Sequence, residues 1–318
     1  MQYIWDDKWI GYLSQGFNDL TKSYTVTATL ASSGWQIATV RLGGDATTKI
    51  VINDTSTGDG GIINYLQLKG SAGSTVTLTN SQVSHLVGSD FVEKITLGGK
   101  STDSLDLRGG NDVVTTGSGW VGSIMTGDGN DTVTVGSGGV DAISTGDGDD
   151  TINGGNGDIK TIWSGNGKDT ITLGKGGVDA IATGGGNDII NGGTGWVNAI
   201  DTQEGDDTVN VGNADFSVLR VSSGKNTVSI ANGGVSSIIA YGGDDSLTIT
   251  GTGHVDVASL GAGKNTVAVG KGRIGSLEAY EGNDTVTIGD GSVSMLRLSD
   301  GDNTLTLTGK GYVDAMVT

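Results

Sequence analysis

The chain contains no cysteine and no proline. Without cysteine there is no disulfide staple and no thiolate metal site. Glycine is abundant, 59 of 318 residues, yet without proline the chain is not collagen, whose extended strands need imino acids. Histidine occurs twice, at His85 and His254, so a zinc centre of several histidines is excluded and histidine-based acid–base catalysis has few candidates. Aromatic residues make up 5%, too few for a large mixed core. Basic residues are scarce too: 18 against 36 acidic ones, a net charge of −18. Phosphate contact needs clustered Lys and Arg, so nucleic acid is not expected as a partner. No run of about 18 apolar residues occurs, so no membrane insertion by a helix is expected. Met1 to Leu20 shows no basic stretch followed by an apolar run, so export, if it occurs, needs no N-terminal signal peptide.

What is present is a repeat. From Gly127 the sequence runs GDGNDTVTVGSGGVDAIST, and from Gly146 GDGDDTINGGNGDIKTIWS. GNGKDTITLGKGGVDAIAT follows from Gly165 and GGGNDIINGGTGWVNAIDT from Gly184. An Asp or Asn marks the period at Asp112, Asp131, Asp150, Asp169, Asp188, Asp207, Asn226, Asp245, Asn265, Asp284 and Asn303. The steps are 19 residues, except 20 between Asp245 and Asn265, with Thr250 read as the extra residue. Apolar rows keep the same frame: Val133, Ile152, Ile171 and Ile190; Val140, Ile159, Val178 and Val197; Ile143, Ile162, Ile181 and Ile200. Alternation at Thr132-Val133-Thr134-Val135 predicts a strand with Val inward and Thr outward. A coil this short cannot bury its own apolar face; stacking coils about 4.8 Å apart can. The expected fold is therefore all-β, a right-handed parallel β-solenoid with one 19-residue coil per repeat. Proline is absent because nearly every strand N–H must pair with an adjacent coil.

Residues 109–318 carry the repeat clearly, and residues 21–108 read as degenerate coils of the same kind. Ser74 stands where the Asp is expected, and residues 87–111 read as irregular, with an extra turn near Asp103. Residues 1–20 crowd Tyr3, Ile4, Trp5, Trp9, Ile10, Tyr12 and Leu13 together, which suits an N-terminal cap or an assembly segment.

The stretches GDGNDTVTV, GDGDDTINGG, GNGKDTITL, GGGNDIING and EGNDTVTIG resemble the nonapeptide of the RTX (repeats-in-toxin) family, G-G-x-G-x-D-x-U-x. The resemblance covers roughly residues 109–318 and implies a calcium-binding β-roll. It implies Ca2+ ligation by the side chains of Asp112, Asp131, Asp150, Asp169, Asp188, Asp207, Asp245 and Asp284. Backbone oxygens would come from Gly127, Gly129, Gly146, Gly148, Gly165, Gly167, Gly184, Gly186, Gly205, Gly243 and Gly282.

Residue chemistry agrees, since calcium takes six or more hard oxygen ligands. Bare carboxylates about 4.8 Å apart repel by roughly 1 kcal/mol in water and about 3–4 kcal/mol at an effective dielectric of 20. Folding is thus expected to couple to the metal. Family coils carry Asp on both sides, whereas Val140 stands at the second turn here, so one row of several ions is expected. Lys225 and Lys264 precede two of the Asn residues; either their ammonium groups replace ions or they point to water.

The outward Thr pairs, such as Thr170 and Thr172, resemble an ice-binding face, but Asn153, Ile189, Asn191, Asn210 and Ala268 break the array. Trp120, Trp163 and Trp196 lie near turns and do not form one row of three. No catalytic constellation stands out, so an enzyme is not expected. The resulting expectation is an exported, extracellular or cell-surface, calcium-binding structural protein that self-associates, with a cell-surface polysaccharide as a candidate partner. The alternatives are an ice-binding solenoid or the calcium-dependent part of a larger exported enzyme, toxin or adhesin.

Overall fold

The structure is a computed structural model. It describes residues 61–68 and 73–317 in full; before residue 61 it describes the backbone of the strands Gln2–Trp5, Leu13–Ser14, Thr25–Leu30, Gln36–Ile37, Val40–Gly43 and Lys49–Asp54. The chain forms two compact units, residues 1–164 and 165–318. Both are parallel β-solenoids of about 19 residues per turn, about 13 turns in all, with no helix among the described residues.

In the first unit each coil gives one strand to each of two sheets. On one side Glu93–Leu97 pairs with Ser74–Leu78 and with Val113–Thr115, and Val113–Thr115 pairs with Thr132–Thr134. On the other, Gln82–Val87, Thr102–Asp106, Val121–Met125 and Val140–Asp147 pair in turn. The ladders run unbroken across residues 87–111, so this stretch is a regular coil with Glu93 in register with Ser74. Asp103 is simply an exposed residue of the strand Thr102–Asp106. Gln2–Trp5 pairs in parallel with Thr25–Leu30 and Leu13–Ser14 with Val40–Gly43. Part of the aromatic segment therefore supplies strands to the ladder. The side chains of residues 1–20, and with them the cap or assembly expectation, lie outside the described residues.

The second unit repeats the plan from Thr170–Thr172 to Tyr312–Val317. The inserted residue near Thr250 is localised by register. Ile230 pairs with Ile249, a step of 19, whereas Gly234 pairs with His254, a step of 20. A second insertion separates Leu307, still 19 beyond Ile288, from Tyr312, 20 beyond Ser292. A bulge follows Asn210, in the strand Thr208–Gly212.

The expected inward rows are the core. Val133, Ile152, Ile171, Ile190, Val140, Ile143 and Ile162 are completely or almost completely buried. Thr132 and Thr134 flank Val133 on the half-buried outer side. Burial of about 25 cal/mol per Å² of apolar surface along such rows is the main source of cohesion. The backbone between coils is saturated: Thr132 N–H donates to Asp112 O and Thr151 N–H to Asp131 O, each at 2.8 Å. Proline at either position would remove a rung.

Candidate metal-binding row

Each glycine-rich turn delivers one acidic or amide side chain into the interior. In the turn Gly127-Asp128-Gly129-Asn130-Asp131, Gly127 and Gly129 have φ of +96° and +136°. An L side chain rarely adopts such angles, and the turn depends on them to swing Asp131 inward at the start of Thr132–Thr134. All eleven glycines expected to offer backbone oxygens, from Gly127 to Gly282, share this positive-φ conformation. The methyl group of an alanine at Gly129 would run into the Gly110 carbonyl of the preceding coil.

The row residue is buried in every rung except the last, Asn303, which is partly exposed. Asp112, Asp131, Asp150, Asp169, Asp188, Asp207, Asp245 and Asp284 are at most 4% exposed. One carboxylate oxygen has a structural task, because it accepts the N–H of the row residue one coil earlier. In the first unit Asp112 Oδ1 accepts from Glu93, Asp131 Oδ1 from Asp112 and Asp150 Oδ1 from Asp131, at 2.7, 2.7 and 2.8 Å. In the second unit Asp188 Oδ1 accepts from Asp169 and Asp207 Oδ1 from Asp188, both at 2.9 Å.

The other oxygen has none. Oδ2 of Asp112, Asp131, Asp188, Asp207, Asp245 and Asp284 is buried without a hydrogen-bond partner. Desolvation accordingly pushes the carboxyl group of Asp112 up to about 8 and that of Asp245 to about 6, and raises those of Asp131, Asp188 and Asp207. The Thr126, Thr183 and Thr202 hydroxyls beside the last three work against the shift. Leaving a buried charged acceptor unpaired costs free energy unless a proton or a cation reaches it.

The Asn rungs show how the same place is filled without charge. Asn226, Asn265 and Asn303 use Oδ1 in the same ladder, accepting from Asp207, Asp245 and Asp284 at 3.1, 3.2 and 2.8 Å. Because a donor faces Oδ1, the amide nitrogen must face the other way. There Nδ2 donates to the carbonyl four residues back: Ser222, Gly261 and Ser299, at 3.1, 3.2 and 2.9 Å. Asn265 Nδ2 also reaches Gly263 O at 3.3 Å. In an Asp rung the side chain has no N–H to offer at that place.

Three features escaped the sequence reading. Glu93 belongs to the row, 19 residues before Asp112, and is fully buried. Its Oε1 accepts from the Ser89 hydroxyl at 2.5 Å, and desolvation raises its carboxyl to about 7. The 19-residue step alone pointed to it, but Glu was not sought. The amide closure of the Asn rungs depends on side-chain direction, which spacing does not give. A buried hydroxyl row, Thr126, Thr145, Ser164, Thr183 and Thr202, keeps the repeat frame and was legible as a polar position among apolar ones. Lys225 and Lys264 are exposed, and their backbone N–H groups donate to Asp206 and Asp244. The Asn amide, not a lysine ammonium, closes those rungs.

Chemically, the row offers hard oxygens only, which suits calcium rather than softer metals. Each coil brings one carboxylate plus turn carbonyls; among the described residues no three acidic or histidine side chains converge on one point. A metal here would rest mainly on backbone oxygen. No protein-family model matches the chain, and no curated protein matches it significantly.

Among the described residues outside the row, a few surface groups pair with one another. In the second unit Asn210 Nδ2 donates to Asn191 and the Ser229 hydroxyl donates to Asn210, at 2.9 and 2.6 Å. These outward groups are occupied with one another within the Thr array. In the first unit Trp120 lies against Gly139, and Lys160 stands 5.5 Å from its ring centre and pairs with Asp141. That hydrogen bond from Lys160 holds the Asp141 carboxyl below its usual range. In the second unit Trp196, at the corresponding repeat position, lies against Gly177.

Proposed function

We propose that this chain is a calcium-binding structural solenoid of an exported bacterial surface or matrix protein, folding when it meets calcium and associating with further copies of itself. One observation carries the reading. Asparagine satisfies every hydrogen bond at the row position, yet eight coils carry aspartate there, with Oδ2 orphaned and buried in at least six of them. A buried acceptor without a partner is a cost that only a positive species removes. Divalent calcium, hard and tolerant of irregular oxygen sets, fits the donors available. The oxygens that would hold it are Oδ2 of the Asp residues and the carbonyls of the glycine turns. Calcium bound there would cancel the repulsion along the row and tie adjacent coils together. Calcium is plentiful outside cells, which fits folding after export.

The test is far-UV circular dichroism of the full chain, first stripped with EGTA and then titrated with calcium chloride to millimolar levels. A weaker β signal and a lower melting temperature in EGTA, both restored by calcium, are the expected result. A spectrum and melting curve indifferent to both reagents would refute the reading. Sedimentation in the same buffers reads association: species larger than one chain are expected with calcium.

A further inference from the structure

We infer that the ions are confined to part of each unit: they are held at Asp131 and Asp150 in the first and at Asp169, Asp188 and Asp207 in the second, while Asn226, Asn265 and Asn303 are ion-free rungs in which the side-chain amide takes the cation's place. The inference rests on the calcium reading for the identity of the ion, but not for the amide rungs.

Two independent features bear on these bounds, and Asp112 meets only the second: it lies inside the closing rung at Glu93 but has Leu107, not a hydroxyl, five positions before it. First, buried hydroxyls precede the row residue by five positions only here: Thr126 before Asp131, Thr145 before Asp150, Ser164 before Asp169, Thr183 before Asp188 and Thr202 before Asp207. Beyond it the same position is apolar, with Val221, Ala240, Leu260, Ala279 and Leu298 buried. Before it stands Leu107, also buried. Thr126 and Thr183 give their hydroxyl protons to the carbonyls of Thr145 and Thr202, at 3.1 and 2.9 Å. That leaves the hydroxyl oxygen as a further hard donor beside the carboxylate. An apolar residue serves the fold equally well in the later coils, so what the hydroxyl adds to these coils is its spare lone pair.

Second, a rung that satisfies itself stands at the outer end of the Asp row in each unit. On the N-terminal side Glu93 is held by Ser89, through the hydroxyl at 2.5 Å and the N–H at 3.3 Å. On the C-terminal side Asn226 is held by the Ser222 carbonyl at 3.1 Å. In the Asn rungs the amide N–H lies against the carbonyl that an ion would touch. The geometry thus places each ion between Oδ2 and the carbonyl four residues back: Gly127 for Asp131, Gly184 for Asp188, Gln203 for Asp207. Asp245 and Asp284 lie between amide rungs, with an alanine at the hydroxyl position and one carboxylate each, so they are weak sites at most.

The experiment uses the full chain and three variants: Asp188→Asn, Asn226→Asp, and Asn226→Asp combined with Val221→Thr. Melting is followed by circular dichroism in EGTA and in calcium chloride. Bound calcium is counted by atomic emission after gel filtration. Asp188→Asn is expected to melt several degrees higher than the parent in EGTA and to lose bound calcium. Asn226→Asp is expected to melt lower in EGTA and to take up little calcium alone, but to gain an ion once Val221→Thr adds the hydroxyl. Unchanged melting of both single variants in EGTA would overturn the amide rungs. Full calcium uptake by Asn226→Asp alone would overturn the hydroxyl's part. A parent that binds no calcium would refute the proposed function, while the EGTA melts would still decide the amide rungs.

Discussion

Alanine at Gly148 should destabilise the first unit far more than alanine at Gly139, although both positions are crowded. At Gly148 φ is +139°, a region adopted almost only by glycine, and a Cβ there would sit 2.6 Å from the Gly129 carbonyl carbon. Holding a non-glycine residue in such a conformation costs about 1–3 kcal/mol. Ordinary contact needs about 3.5–4.0 Å, so the two coils must part by about 1 Å. The rungs beside this point are tight: Gly129 N–H to Asp147 O, Thr151 N–H to Asp131 O and Asp131 N–H to Asp150 Oδ1, all 2.8 Å. Stretching two or three of them adds about 1–4 kcal/mol, at roughly 0.5–1.5 kcal/mol each. The sum, about 2–7 kcal/mol, corresponds to a fall in melting temperature on the order of ten degrees. The Cβ at Gly139 meets a side chain instead, 2.5 Å from Trp120 Cε3, and Gly139 needs no positive φ. Trp120 is 40% exposed and can swing away, at the loss of the Lys160 contact, about 1 kcal/mol. Thermal melts of both variants in calcium read the difference. Equal melting temperatures for the two variants, or a Gly148→Ala protein melting like the parent, would refute the argument that backbone approach between coils sets the glycine pattern.

Two further outcomes are expected. Ion-free protein should lose stability as pH rises from about 5 to 8: burial raises Glu93 to about 7, Asp112 to about 8 and Asp245 to about 6, against about 4 in an unfolded chain. Over that window the folded state binds more protons than the unfolded one, so unfolding free energy falls with pH. Melting temperatures in metal-free buffer at pH 5 and 8 check the sign, and calcium should flatten the slope. Ile190→Ala, at a site with no exposure, should cost about 2–5 kcal/mol, whereas Trp163→Ala, at a residue 54% exposed, should cost little; urea unfolding midpoints separate them.

Much of the fold was legible in the chain itself because a solenoid repeats one local problem. The 19-residue step, the inward Val and Ile rows and the glycine turns each depend on neighbouring residues and on period two, which a linear sequence displays. Absence of proline follows from the saturated ladders for the same reason. The Asp row was legible as a row, since a turn that swings one residue inward does so in every coil. Glu93 was hidden only because a longer side chain fills the same place. What the sequence could not decide is what each carboxylate oxygen does. That depends on the coil before and the coil after, which determine that Oδ1 meets an N–H while Oδ2 meets nothing. Asp and Asn read as near equivalents in a turn; only the stacked structure makes them opposites, Asn closing its rung with an amide and Asp leaving an oxygen without a partner. The lysine side chains were equally undecidable from spacing, because exposure is a property of the assembled coils. Local chemistry wrote the coil, and stacking decided which of its polar atoms are left without a partner.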